Sequence, residues 1–96
     1  MKIYCVSWRQ NDSGDGYGRA FSFSKRKCEA FRAKLIREYD KRLEKFNRHI
    51  ANNTLELYDS PGEDPDPSEV EEIVLTGTPR QMVMAAYTSY WGSAEI

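Results

Sequence analysis

Apolar residues recur three or four positions apart from Ser24 onward: Cys28, Phe31, Leu35, Tyr39, Leu43, Phe46 and Ile50 wind into one stripe of an α-helix. The spacing predicts a helix over 24–50, with the Ser24 hydroxyl as its N-terminal cap. Upstream, Lys2–Arg9 carries apolar side chains on both sides of its pleat, in Ile3, Tyr4, Cys5, Val6 and Trp8. That is the pattern of a strand covered on two faces or central in a small sheet. In Arg19–Phe23, Phe21 and Phe23 point one way and Ala20 and Ser22 the other, which predicts a second strand. The intervening Gln10–Gly18 is rich in Gly, Asn, Asp and Ser and reads as a flexible hairpin loop that presents Tyr17 outward.

Beyond the helix the pattern shortens. Ala51, Asn52 and Asn53 terminate the apolar period, and Leu55–Tyr58 is a short candidate strand or an extended connection. Asp59–Ser68 (DSPGEDPDPS) holds three prolines and four acids, so it reads as a solvated loop that cannot be helical. Val70–Leu75 predicts a strand entering from a charged edge and ended by Gly77. Thr78 as cap, Pro79 at the first helical position and Gln81 as the capping-box partner predict a second helix over 80–91, with Gly92 just past its end. Ser93–Ile96 reads as a frayed tail. The expectation is one α+β domain over 1–96. It is a small antiparallel or mixed sheet of three strands, four if 55–58 pairs, with one long amphipathic helix and a shorter C-terminal one, in the order ββα(β)βα. The helices lie on one face of the sheet or one on each.

Composition changes this picture in one respect. Aromatic and apolar content is that of a folded chain, and no apolar run is long enough to span a bilayer, so a soluble, cytoplasmic protein is expected. Cys5 and Cys28 sit in apolar patterns without a cysteine framework and are expected to be buried free thiols. The net charge of −1 conceals a segregation: Lys25 to Arg48 holds ten Lys or Arg against four acids, while Glu56 to Glu72 holds eight acids and no base. A near-neutral chain therefore has two poles. On the long helix, Lys27, Lys34, Lys41 and Arg48 fall seven apart with Arg37 and Lys45 beside them, a basic ridge nearly opposite the apolar stripe. Glu38 to Arg42 and Glu44 to Arg48 are candidate i,i+4 pairs.

Catalytic chemistry finds little foothold. Gly14, Gly16 and Gly18 lack the lysine and the following helix that a phosphate cradle needs, and Asp12 and Asp15 lack the closing Glu of a calcium loop. The sequence offers no set of metal ligands and no nucleophile at a spacing that would suit His49; Cys28 lies 21 residues away, roughly 31 Å along one helix. Neither an enzyme nor a cofactor is expected. Two binding readings remain. In the first, Asp59, Glu63, Asp64, Asp66, Glu69, Glu71 and Glu72 imitate a nucleic-acid backbone toward a partner protein, with Tyr58 and Trp91 as apolar anchors. In the second, Lys27, Lys34, Arg37, Lys41, Lys45 and Arg48 bind nucleic acid directly, with Trp8 or Tyr17 stacking on bases from an open sheet face.

The opening Ile3–Arg9 (IYCVSWR), the aromatic second strand running into Ser24-Lys25-Arg26-Lys27 and a long helix, and Glu72–Leu75 leading to Thr78-Pro79-Arg80-Gln81 resemble, in layout, small bacteriophage and mobile-element proteins of the anti-CRISPR kind. The resemblance implies a stoichiometric blocker of a host nucleoprotein complex, such as a CRISPR effector, acting through charged surfaces. A homodimer paired through the surplus aromatic area of the second helix is compatible with either reading.

Overall fold

The computed structural model describes residues 1–10, 16–53, 60–62, 64–77, 79–90 and 92–96. It is α+β: strands β1 (Lys2–Gln10) and β2 (Gly16–Ser22), helix α1 (Lys25–Ala51), strand β3 (Glu71–Val74), helix α2 (Arg80–Thr88) and strand β4 (Ser93–Glu95). The sheet is mixed, in the order β3-β1-β2-β4, with β1 antiparallel to both neighbours and β2 parallel to β4. The apolar doubling of β1 is thereby explained, because β1 is an interior strand.

Register fixes which helix covers which face. Cys5 pairs with Phe21 and Ile3 with Ile73, so these four share a face; Val6 pairs with Ala20 and Trp8 with Gly18 on the other. Phe21 meets Tyr87 of α2 at 5.1 Å between ring centroids, and Trp8 meets Phe31 of α1 at 5.1 Å. One helix therefore lies on each face. On the α2 side the core is Ile3, Cys5, Phe21, Val83 and Met84, with Ile73, Leu75, Phe23 and Tyr87 packed around it. On the α1 side Val6, Ala20 and Cys28 are buried. The connections β2-α1-β3 and β3-α2-β4 each join parallel strands, run in opposite directions across the sheet and use opposite faces. They consequently share one hand, as crossover connections in a twisted sheet do.

Four expectations are corrected. Ser93–Glu95 is not a frayed tail but β4, held by Arg19 N–H to the Gly92 carbonyl and Ile96 N–H to the Phe21 carbonyl. The second helix ends at Thr88 rather than 91. The Thr88 and Ser89 hydroxyls donate back to the Met84 and Ala86 carbonyls, and Gly92, at φ 79, turns the chain into β4 instead of closing the helix. Pro79 is the helix's N-cap rather than its first residue, its carbonyl accepting from Met82 and Val83 N–H; Thr78 lies outside the described residues. Finally, Gly16–Gly18 belong to β2, so the hairpin connection is shorter than Gln10–Gly18. Residues 11–15 and the candidate strand 55–58 lie outside the described residues.

Helix α1 forms as its spacing requires. Ser24 is extended, and its hydroxyl accepts from Lys27 N–H at 3.3 Å; at the far end Asn52 N–H donates to the Arg48 carbonyl and Asn53 adopts φ 52. At 27 residues the helix is about 40 Å long. The radius of gyration is 16.8 Å and the extents are 59 × 26 × 15 Å. A compact chain of this length has a radius near 12.5 Å, so the molecule is drawn out along α1. Only the N-terminal part of the stripe meets the sheet: Cys28 is fully buried, Phe31 to Phe46 are half-buried, and Ile50 is exposed.

Candidate functional site

The acidic tract is built into the sheet edge rather than solvated freely. Arg9 N–H donates to the Pro65 carbonyl at 2.8 Å, Ser68 N–H to the Ser7 carbonyl at 2.8 Å, and Ser7 N–H to Ser68 Oγ at 3.0 Å. These bonds prolong the β3 side of β1, and Pro65 is buried against it. Prolines suit such an edge: they lack the outward N–H that would recruit another strand yet keep their carbonyls. From α1, Arg32 Nε donates to the Ser68 carbonyl at 2.9 Å and Arg42 Nε to the Pro61 carbonyl at 3.0 Å. Two arginines ten residues apart thus strap the tract along one flank of the helix, about 15 Å apart on its axis.

This strap presents its acids outward. Asp64, Asp66, Glu69, Glu71 and Glu72 are all exposed. Asp64 Oδ1 accepts from Asp66 N–H at 2.9 Å, a local turn that ties the Asp64 carboxylate to the main chain, with Asp66 at φ 40. Glu69 stands 3.5 Å from Arg32, but its side chain is 93% exposed, so the pair contributes little. Glu72 meets Lys2 at 3.3 Å and accepts from Tyr4 Oη at 3.3 Å. Asp64, Asp66 and Glu71 make no ion pair among the described residues. Asp59, Glu63, Tyr58 and Trp91, the remaining members of the predicted acidic and aromatic surface, lie outside the described residues.

The basic ridge runs along the exposed surface of α1, and Arg37 borders both the recess shared with Glu69 and Val70 of the tract and the recess at Ile96. Lys27, Lys34, Arg37, Lys41, Lys45 and Arg48 are exposed. Lys34 lies 4.0 Å from Glu38, and Arg48 3.1 Å from Glu44, the latter as the spacing predicts. Glu38 pairs with Lys34 and not with Arg42, whose guanidinium turns instead over the Tyr39 ring and to the Pro61 carbonyl. Lys27, Arg37, Lys41 and Lys45 have no ion pair among the described residues. Lys27, Lys34 and Arg37 border a recess completed by Ile96, which follows β4. The tract runs beside β3 and the ridge's head beside β4. These are the two edges of a four-stranded sheet, about 14 Å apart at 4.8 Å per strand. No ion pair joins the six ridge residues to the tract among the described residues.

One predicted contact fails. Trp8 cannot stack on bases from an open sheet face, because both faces carry a helix and its ring packs on Phe31. Tyr17 remains 60% exposed. The residues that sequence reasoning missed are the fasteners, Ser7, Arg9, Arg32, Arg42 and Ser68. An arginine bonded to a main-chain carbonyl leaves no complementary charge in the sequence to reveal it. Burial pushes the Cys5 and Cys28 thiols up from their ordinary value, so both stay protonated at neutral pH, as free, buried cysteines. No helix among the described residues is long and apolar enough to cross a membrane.

Comparison with protein-family models, curated proteins and solved structures finds no match to this chain.

Proposed function

We propose that the protein is a non-enzymatic interaction module that engages a basic surface of a nucleic-acid-handling partner through its acidic edge. One observation carries this reading: Asp64, Asp66, Glu69, Glu71 and Glu72 project from a backbone fastened to β1 and strapped by Arg32 and Arg42. An acidic edge with an ordered backbone loses little conformational entropy on binding, unlike the same acids on a free loop. It offers a partner's Lys and Arg repeated charge-assisted bonds, as a phosphate backbone does. The partner class extends to the host defence complexes blocked by the small phage proteins that this chain resembles in layout.

The test is affinity purification from a nuclease-treated bacterial lysate with the wild type and with D64N/D66N/E71Q/E72Q. All four positions are exposed, and the variant is expected to keep its fold by circular dichroism. The wild type is expected to retain a protein with a basic surface, and the variant to hold it at least tenfold more weakly. Equal retention by both proteins would overturn the reading.

A further inference from the structure

A second surface of different chemistry lies over the β4 edge. On the ridge, Lys27, Lys34 and Arg37 are interrupted by Ala30, so the helix surface between the cations is uncharged. Ala30, Phe31 and Ile96 form the apolar part of a recess of about 400 Å³, and Lys27, Lys34 and Arg37 border it. Its size is that of a site for a small planar group. The ridge continues from it through Lys41, Lys45 and Arg48 on the same helix, giving cations over roughly 31 Å.

Anionic groups fit the rim and an apolar flat group fits the floor. A polyanion without bases would use only the rim. Duplex nucleic acid keeps its bases in the stack and would use only the ridge. A single strand exposes base faces beside regularly spaced phosphates and satisfies both. The geometry points to a single-stranded nucleic-acid site, with one base in the Ala30–Phe31–Ile96 recess, its flanking phosphates on Lys27, Lys34 and Arg37, and the strand continuing along Lys41, Lys45 and Arg48. Among the described residues the only acid paired to a cation of the recess is Glu38, 4.0 Å from Lys34 with both side chains about half exposed, an arrangement that a phosphate displaces at small cost. The inference does not rest on the acidic edge, although Arg37 also borders the recess shared with Glu69 and Val70.

Fluorescence anisotropy with a labelled twenty-nucleotide oligothymidylate tests it. Three matched experiments use a duplex of equal length, an abasic strand of equal length and heparin as a competitor. The wild type is expected to prefer the single strand over the duplex and the abasic strand by at least fivefold. If three phosphates are neutralised, its affinity falls about 20-fold between 50 and 200 mM salt. K34E/R37E removes two rim cations, and Ala30→Glu places a carboxylate on the floor; all three sites are exposed, and each variant is expected to lose at least tenfold. D64N/D66N/E71Q/E72Q is expected to bind the strand as well as the wild type, which separates this site from the acidic edge. Equal binding of abasic and normal strands, preference for the duplex, or full binding by Ala30→Glu would overturn the proposal.

Discussion

Phe21→Ala is expected to be among the most damaging single substitutions in the chain, lowering stability by about 3–5 kcal/mol. Phe21 is 4% exposed, lies beside Cys5 across the strands and stacks on Tyr87, so the side chain fills the joint between β2 and α2. Its removal deletes the ring's apolar burial and leaves a cavity that Val83 and Met84 cannot fill without moving α2. A domain of this size holds about 5–15 kcal/mol in total, and each kcal/mol shifts the melting temperature by about 4–8 °C. Thermal unfolding followed by circular dichroism should therefore show a drop of roughly 12–40 °C. A change within a few degrees would mean that α2 does not pack there.

Trp8→Ala is expected to cost about 3 kcal/mol, the low end of the range for tryptophan truncation because the ring is only half-buried. The loss falls on the other face: Trp8 holds Phe31, and with it the N-terminal half of α1, against β1. Phe21 and Trp8 lie on opposite sides of the sheet without shared partners, so their effects should add to within about 0.5 kcal/mol in the double variant. Chemical denaturation of the four-member cycle measures this. A coupling well above that value would contradict a sheet with an independent helix on each face.

How much of this was legible depends on the length of each signal. Helix α1 was plain because seven apolar residues keep one period across it, and β1 was plain because Tyr4, Val6 and Trp8 alternate with Ile3 and Cys5, marking a strand with two covered faces. Strand β4 was not: Ser93-Ala94-Glu95 has no apolar alternation, and its parallel partner β2 lies more than seventy residues earlier in the chain. Its pairing depends on α2 delivering it across the sheet. The fastening of the acidic tract was hidden for a specific reason. Prolines remove N–H donors, which argues for a solvated loop, but Pro61 and Pro65 keep their carbonyls, and Arg42 and Arg9 bond to those. The charge poles themselves were visible in composition. Their separation was not, because it follows from the strand order that sends the tract to one edge and the head of the ridge to the other.

That separation implies that each pole repels itself more than it attracts the other. Lys41 and Lys45 are one turn apart on α1, and Asp64 and Asp66 lie two residues apart in one local turn, while among the described residues the only ion pair from α1 to the tract is Arg32 with Glu69. Salt discriminates between self-repelling poles and mutually neutralising ones, since raising sodium chloride from 0.01 to 0.15 M shortens the screening length from about 30 to 8 Å. The most direct measurement is the melting temperature across that range. For D64N/D66N/E71Q, which neutralises three acids that make no ion pair among the described residues, it should equal or exceed the wild type's at low salt, as repulsion within the edge is relieved; a variant that melts lower, with the gap closing as salt is added, would show that the poles hold each other together, and would contradict two surfaces proposed to be free for partners.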